Sequence, residues 1–280
     1  MTKVVVTGGS GALGRVVVSE LTANGYDVLS LDRNPHPSGH RPSWIVDLSD
    51  TGGLYEACRD AEAVIHLAAF LAPNLTSACN TFNTNATLTY NVLQAAADSG
   101  CRRVVLCSST AAYGFIYGKP DFIPDYLPVD EDHISRPIDP YGLSKVVGER
   151  LADGFAQSGR LTVASLRLPG VSFDPEFTLL KQRMGDPGIR KTGFWAYIDV
   201  RDAAVAFRLA LEADLTGHRV FNIAAPTSSM REPTDTLVRA FYPSVTDLRA
   251  PQETRWSGVS SRRAERELGF VARHVWETTE

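Results

Sequence analysis

Short β-branched runs alternate with stretches of helical spacing along most of the chain. Val4-Val5-Val6 reads as a buried strand, and the apolar positions Leu13, Val16, Val17 and Leu21 that follow recur at helical spacing. Val28-Leu29-Ser30-Leu31 is a second strand and Trp44-Ile45-Val46 a third. Leu54–Cys58 reads as a brief helix and Ala63–Leu67 as a fourth strand. Phe82–Ala97 is a long helical segment ended by Gly100, and Val104–Cys107 a fifth strand. Asp139-Pro140 joins a capping carboxylate to a first-turn proline, which starts a helix running to about Gln157. Leu161–Leu168 alternates as a sixth strand. This succession predicts an α/β protein with a doubly wound parallel sheet and helices on both faces.

Two stretches break the rhythm. Tyr113 to Asp139 is rich in prolines and aromatics without a period, and reads as a loop over the carboxyl edge of the sheet. Phe173 to Trp195 has no clear period and carries Lys181, Arg183, Arg190 and Lys191. Asp199–Glu212 is helical again, and Arg219–Ile223 reads as a strand returning to the sheet. Thr234–Phe241 and Ser261–Leu268 are short helices, the second ended by Gly269. The expected organisation is a nucleotide-binding domain over 1–168, to which 198–225 returns, and a small interleaved substrate region over 169–280.

Composition narrows the partners. The chain has 280 residues and a formal net charge of −4, with no block of like charge, so neither nucleic acid nor a membrane surface is expected as a partner. No stretch approaches membrane-span length, and no basic segment leads into a long apolar one, so a cytoplasmic location is expected. Cys58, Cys79, Cys101 and Cys107 lack metal-ligand spacing; reduced structural thiols and no metal are expected.

The first strand runs directly into Thr7-Gly8-Gly9-Ser10-Gly11-Ala12-Leu13-Gly14 and then a helix. Gly9-x-Gly11-x-x-Gly14 in that context is the fingerprint of a dinucleotide turn, in which backbone N–H groups reach a pyrophosphate at a helix N-terminus. Gly8, Gly11, Ala12 and Leu13 are the candidate contacts. Asp32 ends the second strand near the offset of a ribose-binding acid, and Arg33 follows it. The plain alternative is a glycine-rich connection that binds nothing.

A tyrosine and a lysine share one face of the helix after Pro140: Tyr141 and Lys145, one turn apart. A phenol titrates near ~10 and is a poor base at neutral pH, and a neighbouring cation favours its ionised form. Ser108 and Ser109 follow the fifth strand at the edge where ligands of open α/β sheets bind. An exposed helix face is the alternative for the Tyr/Lys pair alone. A nucleotide loop, an edge hydroxyl and this pair together make one mechanism.

With these residues in place, the chain resembles the extended short-chain dehydrogenase/reductases of the NAD-dependent epimerase/dehydratase family, built on the Rossmann fold. The glycine turn, Asp47-Leu48, His66-Leu67-Ala68-Ala69, Ser108-Ser109-Thr110-Ala111-Ala112-Tyr113-Gly114 and Tyr141-Gly142-Leu143-Ser144-Lys145 match family motifs in family order. The resemblance implies Ser109, Tyr141 and Lys145 as the catalytic set and NAD as the cofactor. It implies cofactor contacts from Asp47, Leu48, Leu67, Ala68, Ala69, Asn85 and Pro169 as well. It further implies a homodimer pairing Phe82–Ala97 with Tyr141–Gln157. The dehydratases' Asp-Glu pair is replaced here by Thr110-Ala111, which disfavours water loss. The short region Lys191–Val200 resembles that of uronate dehydrogenases, which oxidise a free sugar acid.

The expected activity is therefore hydride transfer between a carbinol carbon of a sugar or sugar acid and nicotinamide. An epimerase with retained NAD is the alternative, and a non-catalytic NAD-sensing protein a further one. Ser108, Thr110 and Arg201 are candidate substrate contacts, although Arg201 also reads as a helix-terminal ion pair. Phe194, Trp195 and Tyr197 read as core before pocket wall, and His66 as a buried hydrogen-bonded strand residue. His133 is expected to be exposed, and Arg262, Arg263 and Arg266 to form a solvated helix face.

Overall fold

Val4–Thr7 pairs in parallel with a strand on each side, and the sheet grows outward from it. A computed structural model describes residues 2–119, 122–249, 251 and 253–279. The strands are β1 Lys3–Thr7, β2 Asp27–Asp32, β3 Ser43–Ile45, β4 Ala63–His66, β5 Arg103–Ser109, β6 Thr162–Leu168, β7 Gly170–Ser172, β8 Tyr197–Asp199 and β9 His218–Asn222. The helices are α1 Ala12–Ala23, α2 Thr51–Cys58, α3 Ala78–Asp98, α4 Pro140–Gln157, α5 Thr178–Gln182, α6 Val200–Glu212, α7 Thr234–Phe241 and α8 Arg262–Leu268. Seven strands form the main sheet in the order β3-β2-β1-β4-β5-β6-β9, paired in parallel throughout. The chain reverses direction across the sheet between β1 and β4, which places a ligand crevice beyond their carboxyl ends.

Alternation along each strand divides the apolar runs between two cores. Val4, Val6, Ile65 and Val105 pack under α1 and α6, against Val17, Leu21, Ala206 and Phe207. Val5, Val64, Val104 and Val163 pack on the other face under α2, α3 and α4, against Leu54, Val92, Leu93 and Ala152. Local capping sets where these helices begin. Asp139 Oδ1 accepts from the Gly142 amide at 2.8 Å to start α4, and Ser77 Oγ accepts from the Asn80 amide at 3.2 Å to start α3.

The helix expected from Phe82 thus begins earlier, at Ala78, because a serine cap rather than an apolar period opens it. Gly170–Ser172 and Tyr197–Asp199 form a two-stranded parallel sheet that the weakly patterned stretch concealed. A third core joins the long loop to the C-terminal part, with Tyr113, Phe115, Leu127 and Val129 against Phe194, Trp195, Tyr242 and Trp256. Within that loop, Pro120 and Asp121 lie outside the described residues.

His133 is buried, contrary to the expectation of exposure. Its Nε2 accepts from the Asp125 amide at 3.0 Å, and its ring packs against Tyr113, Phe115 and Tyr126. Arg263 is also no solvated face residue: it reaches Asp132 at 2.6 Å and Glu131 at 3.7 Å, while Arg262 and Arg266 are exposed. Phe194, Trp195 and Tyr197 are core, and His66 is buried with its Nδ1 2.7 Å from Thr7 Oγ1. Burial lowers the His66 pKa to about 3, so the ring stays neutral. Among the described residues, no helix is long and apolar enough to cross a membrane.

Candidate active site

The glycine turn is shaped by close approach. Gly8 has φ +72°, and a Cβ there would lie 2.7 Å from the Ala68 amide nitrogen. A Cβ on Gly14 would be driven into the Gly8 carbonyl, so no side chain fits between turn and helix. No side chain caps α1, which leaves its first amides directed at the crevice. Asp32 stands beside the turn, half-buried. Its Oδ2 accepts from the Ser10 amide at 3.1 Å and its Oδ1 from the Asn34 amide at 3.0 Å. Each oxygen keeps a further lone pair for a ligand hydroxyl.

A cleft of about 760 Å³ runs along the carboxyl edge of the sheet. Gly8, Gly11, Ala12, Leu13, Asp32 and Arg33 line it beside β1 and β2, with Asp47 and Leu48 facing them. Leu67, Ala68 and Ala69 line its floor after β4. Ser108, Ser109, Thr110 and Tyr141 line the wall above β5, and Pro169 lies beyond β6. The far part is walled by Phe173 and Ile189 and carries two guanidinium groups, Arg183 and Arg190.

Ser109 ends β5 as the cap of a short turn, its Oγ accepting from the Ala111 amide at 3.1 Å. The same residue stands beside Tyr141 on the cleft wall. Tyr141 is 8% exposed, and the Tyr117 ring stands edge-on to it at 6.2 Å. Burial pushes the Tyr141 phenol above its ordinary pKa, while the neighbouring Ser109 side chain works in the opposite direction. The phenol is thus not lowered as the spacing to Lys145 predicts. Lys145 Nζ donates to the Cys107 carbonyl at 2.7 Å and lies 5.4 Å from the Tyr141 ring centroid. Its own pKa is lowered by burial.

Three predicted residues do not line the cleft. Lys145 and Asn85 line a small adjoining cavity instead. Asn85 binds the Phe70 backbone through both ends of its amide, at 2.8 and 3.0 Å, and so fixes a loop of the cleft wall. Arg201 also stands apart from the cleft lining. Its Nε and a terminal nitrogen clasp the Asp199 carboxylate at 2.7 and 3.0 Å, which is the helix-terminal ion pair. Ser108 lines the cleft, yet its hydroxyl donates to Glu149 Oε1 at 2.7 Å, and Thr110 points to the Leu168 carbonyl at 3.4 Å.

Sequence reasoning missed Glu149, Arg183 and Arg190 as site residues. Glu149 was legible, since it continues the one-turn spacing of Tyr141 and Lys145 along α4. The two arginines carried no such signal, because the segment that presents them has no period.

Comparison with known proteins gives this geometry a family. Residues 4–172, more than half of the chain, match the NAD dependent epimerase/dehydratase family. A putative UDP-glucose 4-epimerase of Methanocaldococcus jannaschii is 33% identical over 177 residues, covering 60% of this chain and 55% of that protein. An L-arabinose 1-dehydrogenase (NAD(P)(+)) of Haloferax volcanii is 32% identical over 179 residues, covering 60% and 66% respectively. The match therefore spans only about half to two thirds of these relatives. Among solved structures, MoeE5 in complex with UDP-glucuronic acid and NAD superposes with a TM-score of 0.71 at 26% identity, covering 97% of this chain and 94% of that one. The chain belongs to the NAD dependent epimerase/dehydratase family.

Proposed function

We propose that the protein is an NAD-dependent oxidoreductase passing a hydride between a carbinol carbon of a sugar or sugar acid and nicotinamide. The observation that carries this reading is the placement of the Tyr141 phenol and the Ser109 hydroxyl on the wall of one cleft that also holds the glycine turn and Asp32. The uncapped start of α1 and the bare Gly14 suit a pyrophosphate, and the spare lone pairs of Asp32 suit the adenosine ribose. Bound NAD would supply the hydride acceptor. Tyr141 would take the hydroxyl proton and Ser109 would hydrogen-bond the reacting oxygen, orienting it for transfer. Arg183 and Arg190 favour a substrate with an anionic group. Arg190 Nε is buried without a partner among the described residues, and burial and the neighbouring Arg183 both lower its pKa. An anion between the two relieves both costs.

Cofactor choice follows from Asp32. Its carboxylate accepts ribose hydroxyls and repels a 2′-phosphate, so NAD is expected to bind more tightly than NADP. A charged hydrogen bond contributes on the order of 1.5–3 kcal/mol. Asp32→Ala should therefore narrow the preference by roughly 10–100-fold in fluorescence titrations. Tighter NADP binding by the unaltered protein would refute the assignment.

The epimerase alternative is favoured by the relatedness to the Methanocaldococcus jannaschii protein. The two reactions share their first step and differ in where the hydride goes. A substrate panel followed by NADH absorbance separates them: net NADH from free sugar acids supports the dehydrogenase. Conversion of UDP-sugars alone, with cofactor retained through purification, would establish the epimerase.

A further inference from the structure

Away from the cleft, α4 presents a polar stripe to the sheet. Lys145, Glu149 and Asp153 follow Tyr141 at one-turn intervals along it. At its outer end, Asp153 Oδ1 lies 2.7 Å from His218 Nδ1, and His218 Nε2 lies 2.8 Å from Ser165 Oγ. Ser165 is fully buried on β6, the His218 side chain is 4% exposed, and the Asp153 side chain is 34% exposed. At the inner end, Ser165 and Lys145 line one cavity of about 20 Å³, together with Asn85 and Glu149.

Serine, histidine and aspartate in a hydrogen-bonded line also suit acyl transfer, but a buried serine beside so small a cavity admits no substrate. A cavity needs roughly 10–15 Å³ and several polar partners to hold one water, and this one has both. Donor roles in the line are set by the carboxylate. Asp153 only accepts, so His218 Nδ1 carries the hydrogen, Nε2 accepts from the Ser165 hydroxyl, and Ser165 Oγ accepts from the cavity side.

We infer that Ser165, His218 and Asp153 form a proton exit running from the cavity beside Lys145 to solvent. A proton leaving Lys145 Nζ passes to a cavity water, and that water gives one to Ser165 Oγ. Ser165 delivers its own proton to His218 Nε2, and His218 releases the Nδ1 proton to Asp153 and bulk water. Each group ends with as many protons as it began with once Lys145 is recharged. The purpose rests on the dehydrogenase reading, in which each oxidation leaves one proton on the buried Tyr141. Arg150 holds the other Asp153 oxygen at 2.9 Å, which orients the exit carboxylate.

The test needs no substrate. In protein carrying ¹⁵N-lysine, the exchange rate of the Lys145 ammonium protons with water is read by NMR, the signal being assigned by its loss in Lys145→Met. Ser165→Ala is expected to slow that exchange by roughly tenfold or more, a modest demand beside the 10²–10⁴ of a positioned proton-transfer group. His218→Gln separates conduction from architecture. Glutamine can restore a hydrogen bond but cannot pass a proton from one nitrogen to the other, so it should be as slow as His218→Phe. Unchanged exchange in folded Ser165→Ala, or normal exchange in His218→Gln, overturns the proposal. A stopped-flow arm with a pH indicator then follows proton release against NADH formation. Release lagging NADH in Ser165→Ala supports the exit, and release in step overturns it. If no substrate yields NADH, the dehydrogenase reading fails while the exchange rates still decide the relay.

Discussion

Tyr141→Phe should lower turnover by on the order of 10²–10⁴-fold, the usual contribution of a positioned general base, while NAD binding stays near normal. The substitution keeps the ring, its edge-on contact with Tyr117 and the capped start of α4, and removes only the proton-accepting oxygen. Little change in melting temperature is expected. Ser109→Ala should slow the reaction too, because it removes the hydroxyl that favours the ionised phenol and that is proposed to hold the reacting oxygen. Lys145→Met should weaken NAD binding as well as turnover, since it takes a cation from beside the cleft and leaves the Cys107 carbonyl without its donor. Steady-state rates and equilibrium titrations on the three variants give the discriminating pattern. If Tyr141→Phe keeps most of its turnover on a verified substrate, the catalytic assignment fails.

The burial of Tyr141 explains why the sequence argument about its partner was incomplete. Spacing along α4 places Lys145 one turn on, and charge alone would lower the phenol's pKa. Depth below the surface enters no sequence pattern, and here it dominates, raising the pKa instead. Added positive charge in the cleft would ease ionisation of Tyr141.

Much of the sheet was legible because β-branched runs buried on both faces leave few other readings, and the glycine turn could be read because steric exclusion at Gly14 tolerates one residue type. What escaped was governed by a local cap and by tertiary contacts that leave no apolar period. Ser77 starts α3 through a single hydroxyl, ahead of any apolar period. β7 and β8 are short strands whose residues pair across an interval of unpatterned chain. His133 looks like a polar loop residue until Tyr113, Phe115 and Tyr126 close around it. Arg201 and Arg190 are the same residue type at nearby positions. The Asp199 cap claims the first, and the second reaches the cleft with one nitrogen unpaired among the described residues.

Arg167→Met should be among the most destabilising single changes in the sheet. Arg167 and Glu149 join β6 to α4 with side chains 6% and 9% exposed, bonded at 2.9 and 2.6 Å. Ser108 donates to the same carboxylate, and the guanidinium lies 4.6 Å over the Tyr113 ring. Removing the arginine leaves a buried carboxylate with one hydroxyl donor, and breaking such a pair typically costs about 3–5 kcal/mol. For a chain of this size that corresponds to a fall of roughly 10 °C in melting temperature. Glu149→Gln alone should cost less, because the amide oxygen still accepts from Arg167 Nε and Ser108 and only the bond to the terminal guanidinium nitrogen is lost. The decisive comparison is the double variant Arg167→Met/Glu149→Met. Desolvating two charges offsets most of their attraction, so the pair together should be clearly more stable than Arg167→Met alone. Thermal melts of the unaltered protein, Arg167→Met, Glu149→Met and the double variant measure this coupling. A double variant no more stable than Arg167→Met would mean that the arginine acts through its stacking on Tyr113 and not through the stranded carboxylate.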